Sequence, residues 1–144
     1  VIAHAGLIAR RIGGFWRGVL IEGPSGSGKS DLALRALDLG FRLVADDRVV
    51  LWVCEGRLFG RAPAALGGLI EVRGLDVTGE AALSFCEVAL VTAPGIPERI
   101  PTPATVERLG VQLPSLFLPY HEASAPAKLG RALSTLYAAN QRRM

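Results

Sequence analysis

The sequence has little with which to build a disulfide framework or a structural metal centre. It holds only two cysteines, Cys54 and Cys86, with no CxxC or comparable spacing, so the expectation is two buried, reduced thiols. No apolar stretch approaches the length of a membrane span, which argues against a membrane partner. There is no Lys/Arg run and no basic patch spaced with aromatics, which argues against nucleic acid. Internal repeats and low-complexity linkers are also missing. The first residues, VIAHAGLIARR, carry their bases after their apolar positions, the reverse of a secretory signal. A cytoplasmic location is expected. What is present is an ordinary globular mixture: 144 residues, 50% hydrophobic and 20% charged, with a net charge of +3. That length suits one domain over residues 1–144 with a single core. The mild positive charge suits phosphate ligands or an acidic partner surface.

Hydrophobic patterning predicts an α/β domain. Gly18–Glu22 reads as a short buried strand, ended by glycine and proline. Asp31–Leu39 reads as a helix, with Leu32, Ala33, Ala36 and Leu37 at helical spacing and Gly40 placed to cap it. Phe41–Ala45 reads as a strand leading into Asp46-Asp47. Val49–Cys54 reads as a strand that turns through Glu55-Gly56 into Leu58–Gly60. Ala62–Gly68 is expected to be a loop or one helical turn. Leu69–Val72, Val88–Thr92 and Leu116–Leu118 are further strands. The four prolines from Pro94 to Pro103 predict a surface loop. Leu129, Ala132, Leu133, Leu136 and Tyr137 make the apolar stripe of a last helix, which tolerates Pro126 in its first turn. The hairpin favours a mixed sheet over an all-parallel one.

Gly23-Pro24-Ser25-Gly26-Ser27-Gly28-Lys29-Ser30 satisfies G-x-x-x-x-G-K-[ST] in full. Small residues let the backbone curl until successive N–H groups point at phosphate oxygens. Gly28 permits a close approach that a β-carbon would block. Lys29 is spaced to reach β- and γ-phosphates, and the Ser30 hydroxyl to ligate Mg²⁺. The helix that follows, beginning around Asp31, presents its positive end to the same anion. A strand before the loop and a helix after it is the context the motif requires. The motif alone predicts nucleoside triphosphate binding and names no reaction.

The second signal is Asp46-Asp47 at the C-terminal end of a predicted strand, the ligand side of open α/β sheets. One carboxylate there can hold Mg²⁺ and its neighbour can accept a proton from an attacking hydroxyl. GPSGSGKSDLAL, RLVADDRV and LIEVRGL, in that order, together with His4 ahead of the loop, resemble the bacterial HPr kinase/phosphorylases. The resemblance runs from about residue 4 to residue 139 and is strongest up to Gly74. It implies a nucleotide-binding fold similar to that of phosphoenolpyruvate carboxykinase. It also implies ATP and Mg²⁺ as reactants, an HPr-like phosphocarrier protein of the phosphotransferase system as acceptor, and a hexameric assembly.

Carried over position by position, the resemblance assigns Lys29 to the phosphates and Ser30, Asp46 and Glu71 to the metal. It assigns the proton transfer to Asp47, charge compensation to Arg73 and an active-site role to His4. A catalytic arginine is expected in the proline-rich loop, with Arg99 as first choice and Arg108 as second. The chain departs from the family pattern in two places. Nothing precedes Val1 that matches the family's N-terminal domain, so a short form with the catalytic domain alone is expected. Tyr120-His121-Glu122-Ala123-Ser124 replaces a proline-glycine-arginine-asparagine type loop, which predicts weak dephosphorylating activity. The rival readings are a small-molecule P-loop kinase, because GPSGSGKS is close to the loop of guanylate kinase, and a nucleotide-sensing module without an acceptor. The carboxylate pair speaks against the second.

Overall fold

The computed structural model describes residues 1–143, with side-chain surroundings up to Leu136. Among these residues the strands are β1 (Ile2–Ala3), β2 (Gly6–Ile12), β3 (Phe15–Ile21), β4 (Arg42–Ala45), β5 (Val49–Cys54), β6 (Arg57–Arg61), β7 (Leu69–Val72), β8 (Asp76–Gly79), β9 (Cys86–Pro94), β10 (Ala104–Arg108) and β11 (Val111–Leu118). The helices are α1 (Lys29–Leu37) and α2 (Ala125–Arg143), with a 3₁₀ turn at Ala64–Leu66. No helix among the described residues is long and apolar enough to cross a membrane.

The main sheet runs β1-β5-β6-β9-β3-β2-β4, and β11 joins it beside β9 while pairing with β10. It is mixed, as expected: β3 and β11 run parallel to β9, and β2–β3, β5–β6 and β10–β11 are antiparallel. β7 and β8 form a separate hairpin. Strand alternation sends neighbours to opposite faces. Ile8, Val19, Ile21, Leu43 and Leu90 pack under α1 and α2 with Leu32, Ala33, Leu129 and Leu133. Leu7, Leu20, Val44, Leu51, Leu58 and Val88 form a second core on the other face. Each large buried side chain contributes about 1.5–3 kcal/mol of apolar burial.

Two glycines let strands approach closely. A β-carbon on Gly18 would lie 2.7 Å from Cys86 Sγ and 2.7 Å from the Glu87 carbonyl, and one on Gly60 would lie 2.6 Å from Leu7 Cδ2. The structure also shows strands that the patterning did not predict. β2 and β3 are one hairpin closed by Gly13 and Gly14, both at positive φ. That is the two-residue turn which glycine pairs favour, and the Gly-Gly after an apolar run was its signal. β8 and β10 are also additional. The helix read as Asp31–Leu39 begins two residues earlier, and Gly40 (φ 88) turns the chain so that the Phe41 N–H reaches the Ala36 carbonyl at 3.3 Å.

Pro94 ends β9 rather than opening the loop, and β11 extends well N-terminal of Leu116. Pro126 lies in the first turn of α2, and Leu129 and Leu133 are buried, whereas the Tyr137 side chain lies outside the described residues. The cysteines split: Cys86 is buried as expected, but Cys54 is exposed. Cys54 is the last residue of β5, paired with Arg57 beside the Glu55-Gly56 turn at the hairpin tip, where it stays exposed. Burial pushes the Cys86 thiol up to about 12.

Candidate active site

The glycine-rich loop joins β3 to α1 with the curl its sequence demands. Gly26 and Gly28 take φ values of 82 and 97, a region closed to most side chains. The Leu32 N–H bonds the Gly28 carbonyl at 2.9 Å, so the helix starts at once and its first N–H groups face the loop. Lys29 is only 7% exposed and its Nζ donates to the carbonyls of Gly23 (2.8 Å) and Pro24 (3.0 Å). No carboxylate pairs with it among the described residues. A buried ammonium balanced only by carbonyls, at a helix N-terminus, is a positive site for an anion. The Ser27 hydroxyl, also buried in the loop, has no hydrogen-bond partner there.

The root of the loop is tied down from two sides. Arg108 donates to both oxygens of Glu22, at 2.8 and 2.6 Å, and these bonds raise its guanidinium above the ordinary value. The Tyr120 hydroxyl lies 2.5 Å from the Glu22 carbonyl and 2.9 Å from the Thr92 carbonyl. Burial pushes the Tyr120 phenol well above its usual range, so it stays a donor.

Facing the loop, the turn after β4 supplies two carboxylates with different surroundings. Asp46 accepts from the Ser30 hydroxyl at 2.7 Å and from the Glu71 backbone N–H at 3.0 Å. Asp47 has a φ of 66, uncommon for a residue other than glycine, and its carbonyl accepts from the Ala5 N–H at 3.1 Å. Its Oδ1 lies 2.5 Å from His4 Nε2, and Arg48 Nε stands 3.9 Å from Oδ2. His4 arrives there because β1 adds to β5, pairing Ala3 with Val49 just past the carboxylates. Both Asp47 and His4 are more than half exposed, so the pair is open to an incoming substrate.

Between these walls lies a cavity of about 310 Å³. Ser25, Gly26, Gly28, Lys29, Ser30, Asp31 and Leu34 line one side. Asp47, Glu71, Val72 and Arg73 line the other, and His121 adds to the rim. The β7–β8 hairpin carries Glu71 and Arg73 there, anchored by the fully buried Ile70. Gly23 and Pro24 contribute through the carbonyls that hold Lys29, Asp46 through Ser30, and His4 through Asp47. Arg99 is not brought in: it sits on the exposed loop between β9 and β10. Arg108 is engaged with Glu22.

Leu34, Val72 and His121 line the cavity without having been singled out as site residues. No local pattern marks them, because each becomes a wall only through packing. No three His, Cys, Asp or Glu side chains converge into a metal group among the described residues. A Mg²⁺ shared with phosphate and water needs only one or two protein ligands. The oxygen donors of Ser30 and Asp46, with Glu71 beside them, suit such an ion.

Comparison with known proteins identifies the family and the fold. The family model described as "HPr Serine kinase C-terminal domain" matches residues 7–83, just over half of the chain. An HPr kinase/phosphorylase of Clostridium tetani is 50% identical over 60 residues, 42% of this chain and 20% of the relative. One of Clostridium kluyveri is 36% identical over 126 residues, 83% of this chain and 41% of the relative. The chain therefore spans less than half the length of these relatives. The solved structure of the Hpr(Ser) kinase/phosphatase from Coxiella burnetii superposes with a TM-score of 0.74 at 27% identity, covering 100% of this chain and 98% of that one. By its family match and by a fold shared along its whole length, this chain belongs to the HPr serine kinase C-terminal domain family.

Proposed function

We propose that the chain, acting as one catalytic unit over residues 1–144, transfers the γ-phosphoryl group of ATP to a serine hydroxyl of an HPr-like phosphocarrier protein. The observation that carries this reading is the position of Asp47, across one cavity from the phosphate loop and 2.5 Å from His4. A carboxylate so placed accepts the serine proton as the hydroxyl oxygen attacks phosphorus, and the His4 imidazole orients it. The loop amides and Lys29 hold the phosphates, Lys29 exchanging the Gly23 and Pro24 carbonyls for phosphate oxygens. Mg²⁺, held by Ser30 with Asp46 and Glu71, supplies charge neutralisation on the phosphates when bound. Arg73 compensates charge on the transferred group from the opposite wall.

The same assignment predicts little phosphorylase activity. Inorganic phosphate must approach an anionic phosphoserine, which calls for extra donors. The segment Tyr120–Ser124 offers no arginine, and its one carboxylate, Glu122, is paired with Lys128 at 3.0 Å. Serine-phosphorylated HPr supplied with millimolar phosphate should release pyrophosphate far more slowly than the forward reaction runs. Family membership further supports a cytoplasmic enzyme that assembles as a hexamer, which sedimentation would test. The deciding experiment incubates the protein with γ-labelled ATP, Mg²⁺ and HPr. Label on an HPr serine is expected. Label transferred instead to a nucleotide or another small molecule, or to nothing, would overturn the reading.

A further inference from the structure

The segment that departs most from the family pattern packs directly on the phosphate loop. A β-carbon built on Gly28 would come within 3.0 Å of His121 Cε1, 3.5 Å of Nδ1 and 3.6 Å of Nε2. The imidazole thus rests against the glycine where the loop turns into α1, and it lines the cavity. Its position is fixed from both sides in the chain. Before it, Tyr120 is 1% exposed and bonded to the Glu22 and Thr92 carbonyls. Around it, Arg35 of α1 donates to the carbonyls of Tyr120 and Glu122, the latter at 2.9 Å, while the Arg35 Nε is held by Asp31 at 2.9 Å. The backbone that carries His121 is therefore clamped to the helix whose N-terminus faces the phosphates.

Within this frame the ring itself is uncommitted. Neither nitrogen has a hydrogen-bond or ion-pair partner among the described residues. The charged groups that share the cavity with it are Lys29 and Asp31 of α1, and Asp47, Glu71 and Arg73 of the facing wall. Carbon alone would suffice to cover Gly28. His121 is exposed, and a polar ring that rests on the glycine of the phosphate loop with its nitrogens unpaired is placed to meet an anion seated there.

We infer that His121 is a phosphate-contacting residue, which donates a ring N–H to an oxyanion seated in the loop. The inference rests on the phosphate-binding reading above. The oxyanion belongs either to the nucleotide or to free inorganic phosphate, and the two share one chemistry. A histidine here takes up part of the work that the missing arginine does not do, with one donor in place of a bidentate fork.

Calorimetric titration separates the possibilities. Mg-ATP, Mg-ADP and inorganic phosphate are each titrated into the wild type, His121→Phe, His121→Gln and Lys29→Ala. Phenylalanine keeps the cover over Gly28 but removes the donor, and glutamine keeps a donor. His121→Phe should weaken at least one of the three ligands by about tenfold or more, the scale of one hydrogen bond to a charged group. His121→Gln should recover most of that loss. Weakening of ATP alone places the contact on the terminal phosphate, of ATP and ADP together on an inner one, and of inorganic phosphate alone on a free anion. His121→Phe binding all three ligands as the wild type does would overturn the inference and leave the phosphate-loop reading intact. A wild type that binds none of them, or Lys29→Ala binding like the wild type, would overturn that reading and the inference with it. If His121→Phe fails to fold, judged by circular dichroism, His121→Leu and His121→Ala replace it, and wild-type affinity in both is equally fatal.

Discussion

The two walls of the cavity are built in opposite ways. The loop wall is one continuous stretch, Gly23–Asp31, whose shape follows from glycines at positive φ and a helix that starts at Lys29. Its charged group is buried and held by carbonyls. The facing wall is assembled from three separate places: His4 after β1, Asp46-Asp47 after β4, and Glu71 to Arg73 on the β7 hairpin. Of its carboxylates Asp47 and Glu71 are exposed and Asp46 half-buried, and its geometry depends on strand register. The contrast suggests a division of labour, with anion binding placed where local sequence guarantees the shape. On the proposed reading, proton transfer falls where distant elements meet and where a protein substrate would reach.

The strongest test of this division falls on the loop wall. Lys29→Ala removes the buried charge, so phosphoryl transfer should drop to background and Mg-ATP affinity should fall as well. A variant that kept a near-wild-type rate in the labelled-ATP assay would break the comparison at its root. On the facing wall, Asp47→Asn should lower turnover by at least ~10²-fold, the usual scale for a general base, while Mg-ATP binding stays nearly unchanged. A rate loss confined to Asp46→Asn, with Asp47→Asn benign, would exchange the roles of the two carboxylates.

A smaller effect is expected where both walls share one scaffold. Gly18→Ala would press a methyl group against the Glu87 carbonyl and Cys86 Sγ, each 2.7 Å away, and backbone cannot swing aside. Unfolding in urea should show a loss of about 1–3 kcal/mol, with the turnover of the folded fraction unaltered. A selective loss of turnover would mean that the scaffold tunes one wall and not the other.

The smallest effect is a reporter of that scaffold. A thiol reagent should modify exposed Cys54 rapidly and without loss of activity, and Cys86 only when the sheet opens. Burial holds the Cys86 thiol protonated to about 12 against an ordinary value of 9.0. Between those values the folded state binds more protons than the unfolded one, so the Cys86 contribution to stability falls as pH rises across that window. It is fully present below 9.0. If wall variants leave Cys86 protected, their rate losses are chemical and not structural.

How much of this was legible in advance follows the same line. The loop motif, α1, the hairpin through Glu55-Gly56 and the carboxylate pair could be read because each depends on neighbours in the chain. The β2–β3 hairpin also had its Gly-Gly signal, but the patterning begins that strand only at Gly18 and leaves the N-terminal residues unassigned. β8 and β10 had no comparable signal. They are short and mostly exposed, so their sequences carry little apolar alternation. Cys54 shows the limit of residue-type averages, since a cysteine at the exposed tip of the β5–β6 hairpin is uncovered whatever cysteines usually do.

By itself the sequence determined a phosphate-binding strand–loop–helix unit, an α/β class and a short set of chemical groups, because these rest on backbone freedom and on spacing of a few residues. Only the tertiary structure decided that His4 meets Asp47, that Asp46 reaches both Ser30 and the Glu71 amide, that Arg99 stands apart and that His121 covers Gly28. Those contacts join residues far apart in the chain. They exist because strand register and the two-faced core bring one end of the sheet together, and no local stretch of sequence carries that information.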